Sequence, residues 1–595
     1  MPFSYEGSPF IKGLHMDLTQ PSHKGLDSTQ RELSPRAVLT GIVLGILLTP
    51  SNVYAGLKIG WSFNMSIIAL LIGYGIWQGL GRRHGQQPWT LLESNINQTV
   101  ASAAASIISG GLVAPIPAYT LLTGQQLDPL PMIAWVFSVS FLGIWIAWYL
   151  RPSLLNDDGL KFPEGMATLE TLRHIYNHGA EAATRLKVLL GTALLSGAVK
   201  WLDTFVWSIP RWAPSAALER LTFNLDPSLL LVGFGAIIGI RVGVTLLLGA
   251  VLAWGGLAPW LLSEGLVVLP PGSGGPQFAA LVEWLLWPGV SLMVCSTLAS
   301  LGLRLWALRA SVFSRRAGNG WRRPAVVPAL CFMLAIALVV GLQALLFGIQ
   351  PGMALLTIPL AICLAAVAAR VVGATGIPPI GAIGQLSQLS FGIIAPGQVP
   401  INLMSANTAG GAAGQCTDLM NDFKVGLAIG ATPKKQVLAQ CLGIFVGSIV
   451  GVLVYLTLIP DPQHMLLTEA WPAPAVATWK AVAETLTKGL DSLSPSIRWA
   501  IAVAALVGVL LGALDSLLPA RRARYLPSSA ALGLAFILPA SIALMMGLGA
   551  VLTWLASRRW PGATERFAIT AAAGLIAGES ITGVGASLWA MLAQL

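Results

Sequence analysis

The sequence predicts an all-α integral membrane protein with about fourteen to sixteen transmembrane helices, in two pseudo-symmetric halves with broken or re-entrant segments. Three observations predict it: scarcity of charge, long uncharged apolar runs, and an internal repeat. Of 595 residues, 55% are hydrophobic and 10% charged, where a soluble globular chain carries about a quarter. Residues 131–150, 324–349, 437–459 and 529–556 contain no Asp, Glu, Lys or Arg, and each is long enough as a helix to cross about 30 Å of hydrocarbon. The runs are continuously apolar and do not alternate between two faces, which excludes a β-barrel.

The repeat is visible without gaps. Residues 227–254 laid over 527–554 agree at ten of 28 positions, including Pro227/Pro527, Gly233/Gly533, Gly249/Gly549 and Trp254/Trp554. A weaker match sets 36–56 on 353–373, where Ala37, Leu39, Thr40 and Gly56 meet Ala354, Leu356, Thr357 and Gly373. The organisation expected is a cytoplasmic arm (1–34), a first transmembrane half (35–323) and a second (324–595). Secondary transporters are often built this way, with the substrate site where repeats meet.

The net charge of +10 would suggest nucleic acid in a soluble protein. Here the basic residues collect in short loops beside apolar spans, where they set orientation. Arg304, Arg309, Arg315, Arg316, Arg322 and Arg323 form the densest cluster, followed by Arg82 with Arg83, Lys434 with Lys435, and Arg521, Arg522 and Arg524. These loops, and the polar arm with Arg31 and Arg36, are expected in the cytoplasm, so the first half crosses an even number of times and the halves run parallel. The arm has no apolar core of a signal peptide. The expected location is the plasma (inner) membrane, with lipid as surroundings, no nucleic-acid partner, and homo-oligomerisation left open. Cys295, Cys331, Cys363, Cys416 and Cys441 show no metal spacing; no cofactor and no metal are expected.

In such a chain the polar groups inside apolar segments carry the information, because burying them unpaired costs several kcal/mol. In 49–67, Asn52, Tyr54, Lys58 and Asn64 interrupt the apolar pattern, and Pro50, Gly56 and Gly60 suggest a broken helix whose Lys58 faces either a solute cavity or the interface. In 93–111, Glu93, Asn97 and Gln98 open a helix rich in Ala, Ser and Gly, suited to close packing or to a cavity wall. In 402–426, Asn407, Gln415, Asp418, Asp422 and Lys424 follow the breaker-rich stretch 373–384. Asp418 and Asp422, four apart, share one helical face that can hold a cation or exchange a proton. The segment 161–172 places Glu164 between Pro163 and Gly165 in what reads as a re-entrant loop. Beyond it Glu170, His174 and His178 have a spacing that suits a metal, but Arg173 and Arg185 mark a solvated stretch. Glu579 lies twelve residues after Phe567 and twelve before Met591 in an otherwise uncharged stretch, close to the bilayer midplane at 1.5 Å per residue. An ionised carboxylate is costly there, which suits exchange of a proton.

NVYAGLKIG at 52–60, KFPEG at 161–165, TDLMNDFKVG at 417–426 and AGESITGVG at 577–585 together resemble the oligopeptide transporter superfamily, from about residue 34 to the C-terminus. The resemblance implies proton-coupled symport by about sixteen helices in two related halves. One branch carries small peptides and another, called yellow-stripe-like, metal chelates. PSNVY and ATPKK stand where the fungal and plant peptide branch has NPG and KIPPR, which places the chain nearer the bacterial and yellow-stripe-like side. By this resemblance the cargo is a small peptide, or else a metal chelate or siderophore-like compound. The resemblance carries a site expectation to Tyr54, Lys58, Glu164, Asp418, Lys424 and Glu579; joined with the embedded polar groups above, substrate binding is expected of Asn52, Tyr54, Lys58, Asn97, Asn407, Gln415 and Lys424, and proton coupling of Glu93, Glu164, Asp418, Asp422 and Glu579.

Two other classes stand beside a carrier. A membrane enzyme acting on a lipid-linked substrate could present Asn156, Asp157 and Asp158 to Mg2+, and a passive channel fits poorly with embedded carboxylates. There is no HExxH and no P-loop, so neither zinc hydrolysis nor the usual ATP-driven transport is expected. The charge pattern makes a direct prediction: tags at the N-terminus and beside Asn319 are protected from external label in intact cells, and labelling at either place overturns the parallel-halves reading.

Overall fold

A computed structural model describes residues 31–593, apart from 61, 63, 85–87, 158–159, 178, 268–276, 313–325 and 377–379. The first thirty residues of the arm, most of the arginine loop with Asn319, and Asp158 and His178 therefore lie outside the described residues. The described chain is helical, with an isolated bridge between Trp212 and Leu225 as its one β pairing. Twelve of its helices are long and apolar enough to cross a membrane, and Ser66–Gly81 is a shorter apolar one.

In chain order the helices that shape the sites are α1 (Pro35–Ile59), α2 (Ser66–His84), α3 (Leu91–Ala105), α4 (Pro129–Leu155), α5 (Pro163–Asn177), α6 (Gly179–Trp201) and α7 (Leu229–Ala250). They continue with α8 (Pro351–Thr375), α9 (Ala406–Ile429), α10 (Pro433–Leu458), α11 (Pro474–Lys488), α12 (Ser529–Ile537), α13 (Ala540–Arg559) and α14 (Pro561–Leu592). Two compact units result. One contains Thr184–Trp306 and Leu493–Gly583, the other Arg31–Ala183 and Ala307–Ser492. Each draws on both sides of residue 323.

In the unit containing α7, the repeat appears as geometry. Helix α7 breaks at Gly239, whose φ of 79° and ψ of 169° are open to glycine alone. In the 300-residue register this is Pro539, and there the chain breaks again between α12 and α13. Gly549 packs on the Val232 carbonyl, and Gly249 on Leu532 and Ala535; the pairs 549–232 and 249–532 exchange under the same shift. The repeat-related helices thus cross about a local two-fold, with small residues where backbones meet. The break frees carbonyls, and the buried Trp254 indole donates to two of them, Ala535 O at 3.1 Å and Leu538 O at 2.9 Å.

The unit containing α1 shows a second exchange. Helix α1 runs unbroken through Pro50 and Gly56 and ends at Gly60, with φ 71°, so the expected interruption falls at Gly60 and not at Pro50. A proline costs one backbone bond, and neighbouring helices tolerate it within a membrane. Helix α8 ends in the same way at Gly376, φ 74°. Gly60 packs on Pro474, the first residue of α11, and Gly376 on Pro163, the first residue of α5. The residues before those prolines, Ala473 and Phe162, have φ of 41° and 52°, a left-handed conformation that a residue preceding proline resists. Each is held crosswise by its N–H: Ala473 donates to Leu57 O at 3.0 Å, and Phe162 to Gly373 O at 2.9 Å. The stretch 161–172 is therefore not a loop; from Pro163 it is the first part of α5.

The crossing in the first unit is testable. Gly549→Leu and Gly249→Leu both lower thermal stability in detergent, by about 1–3 kcal/mol as overpacking does. Gly549→Leu costs more, because all its nearest contacts are backbone atoms of Val232, whereas Gly249 meets side-chain atoms of Ala535 and Leu532 as well as the Leu532 carbonyl. Wild-type melting of both variants would show that the helices do not approach as described.

Candidate functional site

The most polar buried region lies on α9 and the helices around it. A π-turn over Ile401–Ser405 leads into α9, whose first turns are built from Ala and Gly. Gly411 packs on the Ser109 carbonyl and Val139, and the Ala412 carbonyl lies against Gly143 of α4. Of residues 401–423, all described, Asp418 alone is less than fully buried.

Helix α9 runs antiparallel to α3 and the 3-10 turn Ser106–Gly110 that follows it. Asn407 Nδ2 donates to Gly110 O at 2.9 Å, Ser106 bonds Asp418, and Gln98 Nε2 donates to Asp422 Oδ1 at 3.0 Å. Gln436 Nε2 of α10 takes the Asp422 main-chain oxygen at 2.8 Å. On the other side Gly165 of α5 packs on the Asn421 backbone, which brings Glu164 within 3.0 Å of Asn421 Nδ2. Asn64, whose Oδ1 accepts from the Ser66 N–H at the start of α2, also bonds Glu164. Asp418, Asn421 and Asp422 share one face of α9 at i, i+3 and i+4.

Asp418 thus lies within electrostatic reach of both Glu164 and Asp422. Helix α5 is not among the membrane-spanning helices. Burial, reinforced by the charge of Asp418, pushes its Glu164 carboxyl up to about 7 against the pull of Asn64 and Asn421. Its proton is therefore gained and lost near neutral pH. Lys424, two residues beyond Asp422 and so on the far side of the helix, donates from Nζ to Leu160 O at 3.1 Å and lies 6.0 Å from the Phe162 ring.

The remaining candidates divide by surroundings. Asn52 and Asn97 donate to Ala105 O and Ala69 O at 3.0 and 2.9 Å; with Asn407, they tie helices together through backbone carbonyls. Gln415 is buried with neither amide atom bonded among the described residues. Lys58 lies 5.3 Å from the Trp471 ring, which Tyr54 meets edge-on at 5.3 Å. Glu93 closes the N-terminus of α3 in a capping box with Thr90 and pairs with Arg36 at 2.6 Å, while Ser34 also donates to it. In the other unit Glu579 of α14 is 5% exposed and accepts from Ser228 Oγ at 2.7 Å and the Leu230 N–H at 2.8 Å. It thereby caps the N-terminus of α7. Lys200, Asp203 and Asp226 line the same small recess.

His174 lies 3.8 Å from Glu170 on an exposed surface, and among the described residues no three His, Cys, Asp or Glu converge to hold a metal. Asp157 lies 3.9 Å from Arg370. Sequence reasoning singled out the carboxylates but passed over their amide partners Asn421 and Gln436. Asn421 was signalled by its i+3 spacing from Asp418; nothing in the sequence pointed to Gln436.

A family model described as OPT oligopeptide transporter protein matches residues 32–590. A Saccharomyces cerevisiae protein named as an oligopeptide transporter is 25% identical, covering 93% of this chain and 95% of its own. An Oryza sativa subsp. japonica protein named as a metal-nicotianamine transporter is 23% identical over 94% and 87%. A Haemophilus influenzae protein named as an oligopeptide transporter is 25% identical over 89% and 91%. With its helical membrane architecture and a family match over nearly its whole length, this chain belongs to the OPT oligopeptide transporter family, a family of membrane transporters and not of enzymes.

Proposed function

We propose that this transporter is a proton-coupled symporter of small peptides, working across the cytoplasmic membrane with its N-terminus inside. The observation that carries the coupling is Asp418, the one residue less than fully buried on a helix otherwise enclosed along 401–423, within electrostatic reach of both Glu164 and Asp422. A proton taken up at Asp418 would relieve the repulsion among the three. Glu164, with an affinity for protons near neutrality, is matched to the pH range of a cell. Glu579 joins the coupling set in its own unit, since protonation would loosen its hold on Ser228 and Leu230 at the start of α7. Glu93, with both oxygens engaged by Arg36, Ser34 and Thr90, is given a structural part.

For the cargo, Lys58 with Tyr54 and Trp471, and Lys424 with Phe162, each offer a cation beside an aromatic ring, a pairing suited to a carboxylate on a compact organic solute. Gln415 adds an unspent amide. A metal chelate rich in carboxylates is the second reading, favoured by the metal-nicotianamine transporter name of the rice relative.

Two experiments test the reading. In a background without native cysteines, a cysteine replacing Asp418 reacts with a small water-soluble thiol reagent, while cysteines replacing Ala409 or Asp422 resist; equal protection of all three removes Asp418 from an aqueous path. In proteoliposomes with an inward proton gradient, wild-type protein accumulates a small peptide. Asp422→Asn and Glu579→Gln lose gradient-driven accumulation yet keep peptide exchange. Accumulation at the wild-type rate in either variant removes that residue from the coupling set, and accumulation of metal chelates alone replaces the peptide reading.

A further inference from the structure

Residues 31–36, where the arm meets α1, tie the starts of two other helices together. Glu32 is buried. Its Oε1 accepts the Thr432 N–H at 2.7 Å, and its Oε2 meets Lys435 Nζ at 3.0 Å. Thr432 is the N-cap of α10 and makes no cap bond with its own side chain; a carboxylate from 400 residues away stands at that end instead, where the helix dipole favours negative charge. Two residues on, Ser34 donates to Glu93 in the first turn of α3, and Arg36 pairs with the same carboxylate. The Arg31 carbonyl accepts from Thr90 Oγ1 at 3.0 Å. Between these polar contacts Leu33 packs on the cluster that contains Ile96 of α3 and Ala439 of α10.

The two helix starts carry the donors to Asp422. Gln98, five residues beyond Glu93, donates to Asp422 Oδ1, and Gln436, four beyond Thr432, donates to the Asp422 main-chain oxygen. Close glycine contact between α3 and α10 comes farther along, Gly443 on Val100 and Gly447 on Ala104. From these contacts we infer that Glu32 is a positioning residue for Asp422: by clasping the start of α10 beside that of α3, it keeps Gln98 and Gln436 on the Asp422 side chain and backbone. The N–H of Gln98 favours the ionised form of the carboxylate it meets. The inference rests on reading Asp422 as a coupling residue.

The charged groups on the elements around Asp422 are Asp418 and Lys424 on α9, Glu164 on α5, and Glu93 with Arg36 at the start of α3. Helix α4 brings Arg151 over the Phe423 ring at 5.5 Å, α8 brings Arg370, drawn toward Asp157, and α10 brings Lys435 beside the exposed Lys434. Replacing Glu32 by Gln or by an apolar residue deprives Lys435 of its partner equally. A difference between such variants therefore reports the hydrogen bond to Thr432 and not the lost charge.

The test compares full-length Glu32→Ala and the bulkier Glu32→Leu, which have no acceptor, with Glu32→Gln, whose amide oxygen still accepts from Thr432. Hydrogen exchange read by mass spectrometry follows the helix starts. Peptide uptake under an inward proton gradient, measured against pH, follows Asp422. Both acceptor-free variants exchange faster in 91–98 and 433–440, as locally loosened helices do. Their uptake profile moves toward alkaline pH by about half to one unit, because a carboxylate that loses an N–H donor holds its proton to higher pH. Glu32→Gln matches the wild type in both measurements. Unchanged exchange at the start of α10 without the acceptor overturns the inference, and so does faster exchange with a wild-type uptake profile. Wild-type accumulation in Asp422→Asn sinks the coupling reading instead, and exchange at the two helix starts then decides whether Glu32 clasps them.

Discussion

The enclosure of α9 is the constraint on which the chemistry of its unit depends. A helix whose residues are buried from 401 to 423, save Asp418, must have its polar side chains satisfied by its neighbours, since no solvent is there to do it. Glycine and alanine on α9, α4 and α5 let backbones approach, and that approach brings Gln98, Ser106, Asn64 and Glu164 within bonding range. Packing and function are therefore inseparable here. The small residues that close the helix against its neighbours also collect three carboxyl groups that repel one another.

The same logic separates polar residues that hold the fold from those that can act. Asn52, Asn97 and Asn407 spend their N–H groups on backbone carbonyls of neighbouring helices, and Glu93 is saturated by an arginine, a serine and its own cap. Such groups are costly to remove and have little left to offer a ligand. Gln98, Asn421 and Gln415 are in the opposite condition, buried with unspent atoms. Glu579 stands between the two classes: it is fully engaged, but with a helix N-terminus whose hold depends on the carboxylate's charge.

Repetition in the chain becomes exchange of contacts in space. In one unit Gly249 and Gly549 each meet the backbone of the other's helix; in the other, the ends of α1 and α8 each receive the start of a helix from the other half of the sequence. Phe162 and Ala473 keep a left-handed backbone ahead of proline because a hydrogen bond from the opposite repeat holds them there. Strain that occurs twice, at related places, belongs to the architecture.

The helical membrane class, the repeat register of 300 residues and the carboxylates of α5, α9 and α14 were legible in the sequence. Hydrophobic run length, identity at a constant offset and polar residues in apolar surroundings are all local properties of the chain. Pro50 misled, because whether a proline breaks a helix depends on what packs around it, and here the helix continues to Gly60. The partners of Asp422 and Glu164 were not legible, since Gln98 and Asp422 lie 324 residues apart in sequence. Which polar atoms are satisfied and which are left unspent is decided only when distant helices meet.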